Sequence, residues 1–133
     1  MPKRVGSMFD DKLTFTKLLQ AHKRARKGKR FKREVIKFEI DLENNILNIG
    51  RELKKGIYKI GEYKQFKVFE PKERLIKTLP YKDRVVHQWY IEEFIKPYLV
   101  PVLIKDTYAC IEGKGTYKAV KQVGQYMREA GKN

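Results

Sequence analysis

Residues 81–98 place Val85, Val86, Trp89, Tyr90, Ile91, Phe94, Ile95 and Tyr98 around most of the circumference of a single helix. A helix that is apolar on nearly every side must be covered on several, so this segment is expected at the centre with the other elements packed about it. Asp83 stands in its first turn, where exposed backbone amides favour a carboxylate, and Pro97 and Pro101 bring it to an end.

Upstream, Phe31, Val35, Phe38, Leu42, Ile46, Ile49 and Leu53 recur by threes and fours. That spacing predicts one long helix with a continuous apolar stripe, which Gly56 stops after the positive last turn of Lys54 and Lys55. Ile36, Ile40 and Leu47 form a second, partial stripe, which would set this helix between layers. A shorter helix is expected over residues 11–25 from Leu13, Phe15, Leu18, Leu19 and His22, with Asp10, Asp11 or Thr14 available as caps.

Beyond Gly56 the periodicity changes. Residues 57–60 read as a short strand or extended edge, and Gly61 and Glu62 as a turn. Residues 66–69 and 74–78 read as two strands joined by Glu70, Pro71, Lys72 and Glu73, a tip that suits Pro71 because proline cannot donate to a ladder. The last helix is expected from Thr116 to about Ala130, with Thr116 as its cap and Val120, Val123 and Met127 facing inward. The fold class is therefore α+β, helices packed with a small antiparallel hairpin or sheet. Nothing resembles a repeat or linker, so residues 1–133 are read as one domain: a basic extension with a short helix over 1–33, and a core over 34–133.

The 31 Lys and Arg residues outnumber the 16 Asp and Glu, and the net charge of +15 makes a polyanion the default partner. A solvated basic surface kept for solubility is the competing reading. Positive charge is densest over residues 23–33, which include Arg24, Arg26, Lys27, Lys29 and Arg30. Mutual repulsion should hold this stretch extended or mobile until a polyanion arrives, and binding insensitive to salt would favour a merely solvated run instead.

The single cysteine, Cys110, excludes an internal disulfide and leaves no zinc cluster; it reads as a small packed residue rather than a nucleophile. His22 and His87, on separate helices without carboxylates at ligand spacing, read as packing or surface residues. No stretch is apolar enough to span a bilayer, and the basic N-terminus lacks the apolar region of a secretory signal, so a soluble cytoplasmic protein with no membrane partner is expected.

Gly113, Lys114, Gly115 and Thr116 invite comparison with a phosphate-binding P-loop, but Gly115 separates the lysine from the threonine and position 109 is alanine. A better account lets the glycines admit a sugar-phosphate chain close to the backbone at the start of the last helix. Lys114 and Lys118 would add charge there, and Tyr108 would stack on a base or sugar. An ordinary capped helix start beside a buried tyrosine is the plainer reading. Arg84 is read either as the ion-pair partner of Asp83 at the helix start or as a template contact.

Three pieces in fixed order carry a family resemblance. They are Pro71, Lys72, Arg74 and Ile76; then Pro80, Asp83, Arg84, Val85, Val86 and His87; then Asp106, Thr107, Tyr108, Ala109, Cys110, Gly113, Lys114, Gly115, Thr116, Tyr117 and Ala119. As a series they resemble the PKxRxI strand, PxxDRVVH helix start and DSYACxxGKGTHxA loop in the N-terminal fingers region of bacterial reverse transcriptases of the group II intron, retron and diversity-generating retroelement type. Lys27, Gly28, Lys29 and Arg30, with Gly56, Ile57 and Tyr58, look like the segment that precedes these motifs, so the resemblance covers most of the chain. Thr107 and Tyr117 stand where many relatives have serine and histidine.

The resemblance implies a nucleotidyltransferase parent, an RNA-directed DNA polymerase, of which this chain carries fingers and no palm. It further implies that Lys72 and Arg74 meet the triphosphate of an incoming dNTP, against the alternative of a solvated turn with an edge-strand cation. RNA template, RNA–DNA hybrid and the parent's palm are the implied partners. The implied Mg ions belong to palm aspartates, and no catalytic or metal-ligating residue is assigned in this chain. A free-standing basic RNA-binding protein without polymerase activity is the second reading. A small unrelated enzyme is poorly supported, because no His, Cys, Ser or carboxylate set has catalytic spacing.

Overall fold

A computed structural model describes Gly6 and residues 8–132; residues 1–5 and 7 of the expected basic extension, and residue 133, lie outside the described residues. The described chain divides into two compact units, residues 8–95 and 96–132. No linker composition marks that division in the sequence. The architecture is mixed α and β, as the periodicities require: helices with one two-stranded antiparallel sheet.

In the first unit, α1 (Phe9–Lys12) and α2 (Phe15–Ala25) replace the single helix expected over 11–25. Thr14 is extended and its Oγ1 accepts the Lys17 N–H at 3.3 Å, so of the three caps on offer Thr14 starts α2. Residue 33 is no boundary in packing. Leu18 and Ala21 of α2, from the expected extension, lie in the same core as residues of the expected core segment.

The long helix expected from residue 31 is two helices, α3 (Arg33–Ile40) and α4 (Leu42–Lys54), broken at Asp41 with φ −127° and ψ 50°. Side chains replace ladder bonds at the break. The Asn45 amide donates to the Phe38 carbonyl at 2.9 Å and the Asn44 amide donates to Asp41 Oδ1 at 2.9 Å. Val35, Phe38, Ile46 and Ile49 are buried, but Ile36, Ile40 and Leu47 are exposed, so the second stripe is not covered and the pair buries one face. Phe31, expected to head the first stripe, precedes α3 and is exposed.

The hairpin consists of β1 (Lys64–Val68) and β2 (Arg74–Thr78), antiparallel, with Phe66 opposite Ile76 and Val68 opposite Arg74. β2 has the expected bounds, β1 begins two residues before the expected 66–69, and residues 57–60 form no strand. α5 (Tyr81–Tyr90) occupies the position foreseen for the apolar helix: α2 and α3 pack against it, and it buries Tyr81, Val85, Val86 and Trp89. Trp89 meets Phe9 and Phe94 edge-on with centroids 5.9 and 5.2 Å away, and its Nε1–H donates to the Lys12 carbonyl at 2.8 Å. The path continues as a π-helical turn, Ile91–Ile95, and Tyr90 at the end of α5 and Ile91 at the start of the turn are exposed. The Lys12 ammonium donates to the Glu93 carbonyl, to which proline at position 97 brings no N–H.

The second unit holds α6 (Lys96–Leu99), a 3₁₀ turn Val100–Val102, an irregular loop and α7 (Thr116–Ala130). α7 has the expected extent, but its cap is the extended Gly115, and Thr116 is the first helical residue with no capping bond. Val120, Val123 and Met127 are exposed rather than inward, Met127 by 71%. The unit offers them no second layer, and none of its described residues is fully buried. Cys110 is exposed on positive-φ backbone (59°), not packed as expected. Among the described residues no helix is long and apolar enough to cross a membrane.

Candidate nucleic-acid interface

Four lysines meet in the second unit. Lys105, Lys114, Lys118 and Lys121 line a cavity of about 380 Å³ together with Tyr108, Tyr117 and two glutamines. The geometry begins with the loop: Gly113 adopts φ +74°, the Lys114 N–H donates to the Ile111 carbonyl at 3.1 Å, and the chain then enters α7 through Gly115. Helical spacing sets Tyr117, Lys118, Lys121 and Gln125 on adjoining rows facing the same space.

Lys114 does not float in this cavity. Its ammonium donates to the Lys105 carbonyl at 2.6 Å and lies 5.4 Å from the centroid of the Tyr108 ring. One face of Tyr108 is thereby taken, which limits the stacking expected of it. The Tyr108 hydroxyl donates to Asp106 Oδ1 at 3.2 Å, and the Tyr126 hydroxyl donates to Asp106 Oδ2 at 3.0 Å. Desolvation, then the bond to Asp106, pushes the Tyr108 hydroxyl above its ordinary value. For Tyr126 the bond to Asp106 comes first. Both stay protonated donors at neutral pH. Tyr117, Lys105 and Lys121 were missed from sequence, although Lys114, Tyr117, Lys118 and Lys121 repeat at helical intervals that could have shown a shared face.

In the first unit the basic side chains sort into two kinds. Arg26 is bound to Glu39 at 2.5 Å, and Glu39 Oε1 also lies 3.0 Å from Nε2 of His22, which is 1% exposed. Because a carboxylate only accepts, Nε2 carries the proton and Nδ1 accepts from the Tyr81 hydroxyl at 2.9 Å. His22 is therefore a packing residue with a carboxylate partner that sequence spacing concealed. Burial holds its pKa below the usual value despite Glu39, and burial pushes the Tyr81 hydroxyl up to about 12. The Arg26 guanidinium is the main cause that holds the Glu39 carboxyl below its ordinary value.

Arg24 is partly buried, with Nε and Nη2 lacking a hydrogen-bond partner. Arg84 pairs with Glu34 and lies over the Tyr81 ring, so the expected pair with Asp83 is not formed. Asp83 instead accepts from the Tyr58 hydroxyl and from the Gly61 N–H at 2.9 Å. Lys27, Lys29 and Arg30 are exposed on a turn, ordered rather than extended as expected. The Lys29 N–H donates to the Arg26 carbonyl at 2.8 Å, and the Lys32 N–H donates to the Lys29 carbonyl at 3.0 Å.

Lys72 and Arg74 are exposed on the hairpin, Lys72 at its tip. Arg74 shares a face with Val68, Phe66 and Ile76, while Lys67 on the other face pairs with Glu73 at 2.6 Å. Thus Tyr108, Lys114 and Lys118 come together with Gly115 at the start of the same helix, Lys72 and Arg74 are both exposed on the hairpin, Arg26 and Arg84 are drawn into ion pairs, and Arg24 is partly buried without a partner for Nε and Nη2. His87 is exposed. Among the described residues no group of three or more His, Cys, Asp or Glu side chains could hold a metal ion. Compared with known proteins, the sequence matches no family model and no curated protein.

Proposed function

We propose that this chain is the fingers part of a bacterial RNA-directed DNA polymerase, gripping template RNA, RNA–DNA hybrid and the phosphates of an incoming dNTP in the cytoplasm. The observation that carries this reading is the cavity at the start of α7, where four lysines and two tyrosines face one space. Four ammonium groups so close repel one another, and phosphate oxygens relieve that repulsion while displacing condensed counterions. Lys114 is positioned in advance by the Lys105 carbonyl and the Tyr108 ring, which lowers the ordering cost of a contact.

Lys72 and Arg74, exposed at and beside the hairpin tip, serve the nucleotide triphosphate in this reading. Arg74 can present a planar fork to phosphate, and Lys72 adds a point charge. Metal-dependent phosphoryl transfer falls to carboxylates and Mg ions of a palm, as the family resemblance implies.

The test is titration of single-stranded RNA and RNA–DNA hybrid at two salt concentrations. Affinity should fall steeply with salt, and Lys114→Ala should weaken binding and lower the slope of log K against log salt by about 0.7, one phosphate contact on a single strand. Salt-insensitive binding, or a parent slope that Lys114→Ala leaves untouched, would overturn the reading. Primer extension by this chain alone would overturn the assignment of chemistry to a palm.

A further inference from the structure

Phe31 is 95% exposed, more than any other large apolar side chain described. Its ring stands on the turn between α2 and α3, in a chain with no acidic residue from Lys23 to Arg33. We propose that Phe31 stacks on an unpaired base of single-stranded RNA while Lys29, Arg30 and Lys32 hold the flanking phosphates. This inference rests on the nucleic-acid reading above and adds the form of ligand that the turn takes.

The turn is built rather than loose. Gly28 at φ +73° lets the chain reverse, the bonds from Lys29 N–H to Arg26 and from Lys32 N–H to Lys29 close it, and α3 begins two residues after Phe31. The Val35 and Ile36 amides both donate to the Lys32 carbonyl at 3.0 Å, so the backbone that carries the ring is held between a hydrogen-bonded turn and a helix. Residues Gly28 to Lys32 surround an open cavity of about 370 Å³ beside it.

Charge decides what covers the ring. Lys27, Lys29, Arg30, Lys32 and Arg33 flank Phe31 in the chain and make no ion pair among the described residues, whereas Arg26 is satisfied by Glu39. A protein groove complementary to this turn would have to be strongly acidic and still hold an apolar slot. An anionic bilayer would gain only one ring, far less than the continuous apolar face by which interfacial helices bind. Single-stranded RNA supplies both requirements in every nucleotide: a phosphate for each cation and a base whose face stacks on an aromatic ring. A base within a duplex has no free face, so the preference is for single strands, loops or ends.

The experiment uses the full chain and a short single-stranded RNA carrying one 2-aminopurine, whose fluorescence is quenched on stacking. Phe31→Ala should weaken binding about 10- to 100-fold, abolish the quench and leave the salt slope unchanged, since no charge is lost. Phe31→Trp should keep the quench and Phe31→Leu should not. Lys29→Ala should lower the salt slope and keep the quench. If the parent chain binds RNA and Phe31→Ala binds it equally well, this inference falls and the nucleic-acid reading stands. If the parent chain does not bind RNA, both fall. Loss of binding to anionic lipid vesicles, or to an acidic protein, on Phe31→Ala with RNA affinity unchanged would also overturn it.

Discussion

Asp83→Asn is the sharpest probe of how the segment after α4 is fastened to the core. The Asp83 side chain is 3% exposed and takes two hydrogen bonds, from the Tyr58 hydroxyl and from the Gly61 N–H at 2.9 Å. Burial, then the Asp83 contact, pushes the Tyr58 hydroxyl far above its ordinary value, so it remains the donor. Hydrogen bonds to a charged group contribute about 1.5–3 kcal/mol each, and a buried donor left unmade costs about 1–3 kcal/mol. Asparagine has the same shape but one acceptor and one amide donor. It can accept the Gly61 N–H and donate its amide to the Tyr58 hydroxyl, which also accepts, but both bonds lose the carboxylate's charge, so the expected loss is about 2 kcal/mol. Tyr58→Phe alone should cost about 1–1.5 kcal/mol. In the double variant Tyr58→Phe removes only a bond that Asp83→Asn has already weakened, so the two losses should fall short of additivity by at least about 0.5 kcal/mol. Urea unfolding followed by the fluorescence of Trp89, the sole tryptophan and a core residue, measures all three. An Asp83→Asn loss below about 0.5 kcal/mol, or strict additivity, would refute the clasp.

Gly61→Ala should destabilise by about 1–3 kcal/mol through the same clasp, because its Cβ would meet Pro80 Cγ at 2.7 Å and Asp83 Oδ2 at 3.0 Å; a neutral result in the same assay would mean the segment shifts freely. His22 is held neutral by burial, with its folded pKa below the unfolded 6.5, so the unfolded chain binds the extra proton and stability should fall as pH drops below about 6.5. Glu39, depressed below 4.5, adds stability that is present above that value and lost at still lower pH as the folded carboxyl protonates. His22→Gln should flatten the first of these two losses in urea midpoints, and a parent equally stable at about pH 7.5 and pH 5.5 would contradict the assignment. Arg26→Ala should lower stability by about 1 kcal/mol with little change in the RNA salt slope, since its charge is engaged by Glu39, while Lys29→Ala should do the reverse.

Local signals were legible wherever a residue's neighbours in sequence are also its neighbours in space. The bounds of β2, the extent of α7, Thr14 as a cap and the central place of the helix at 81–90 all follow from periodicity and capping chemistry. The break at Asp41 was missed because the apolar stripe runs through it without interruption. The side chains that permit it, Asn44 and Asn45, are ordinary on a solvent face until one of them reaches back to the Phe38 carbonyl. Val120, Val123 and Met127 have the spacing of a buried face and remain exposed, since periodicity reports an apolar side and not whether anything covers it.

The candidate interface shows the same limit in its charges. From sequence, every cation in residues 23–33 looked equally available, because none has an acidic neighbour in the chain. Folding brings Glu39 from α3 onto Arg26 and Glu34 onto Arg84, at separations that no local pattern announces. Among the candidate cations, those left exposed and without an ion pair after folding are Lys27, Lys29 and Arg30 on the turn before Phe31, Lys72 and Arg74 on the hairpin, and Lys114 and Lys118 at the start of α7. In two of these places an exposed aromatic, Phe31 or Tyr117, stands among the free cations. Solubility alone asks for charge and gives no reason to expose a ring beside it, whereas a ligand that alternates phosphate and base would use both. That pairing, invisible to a count of charges, is what favours nucleic acid over a merely solvated basic surface.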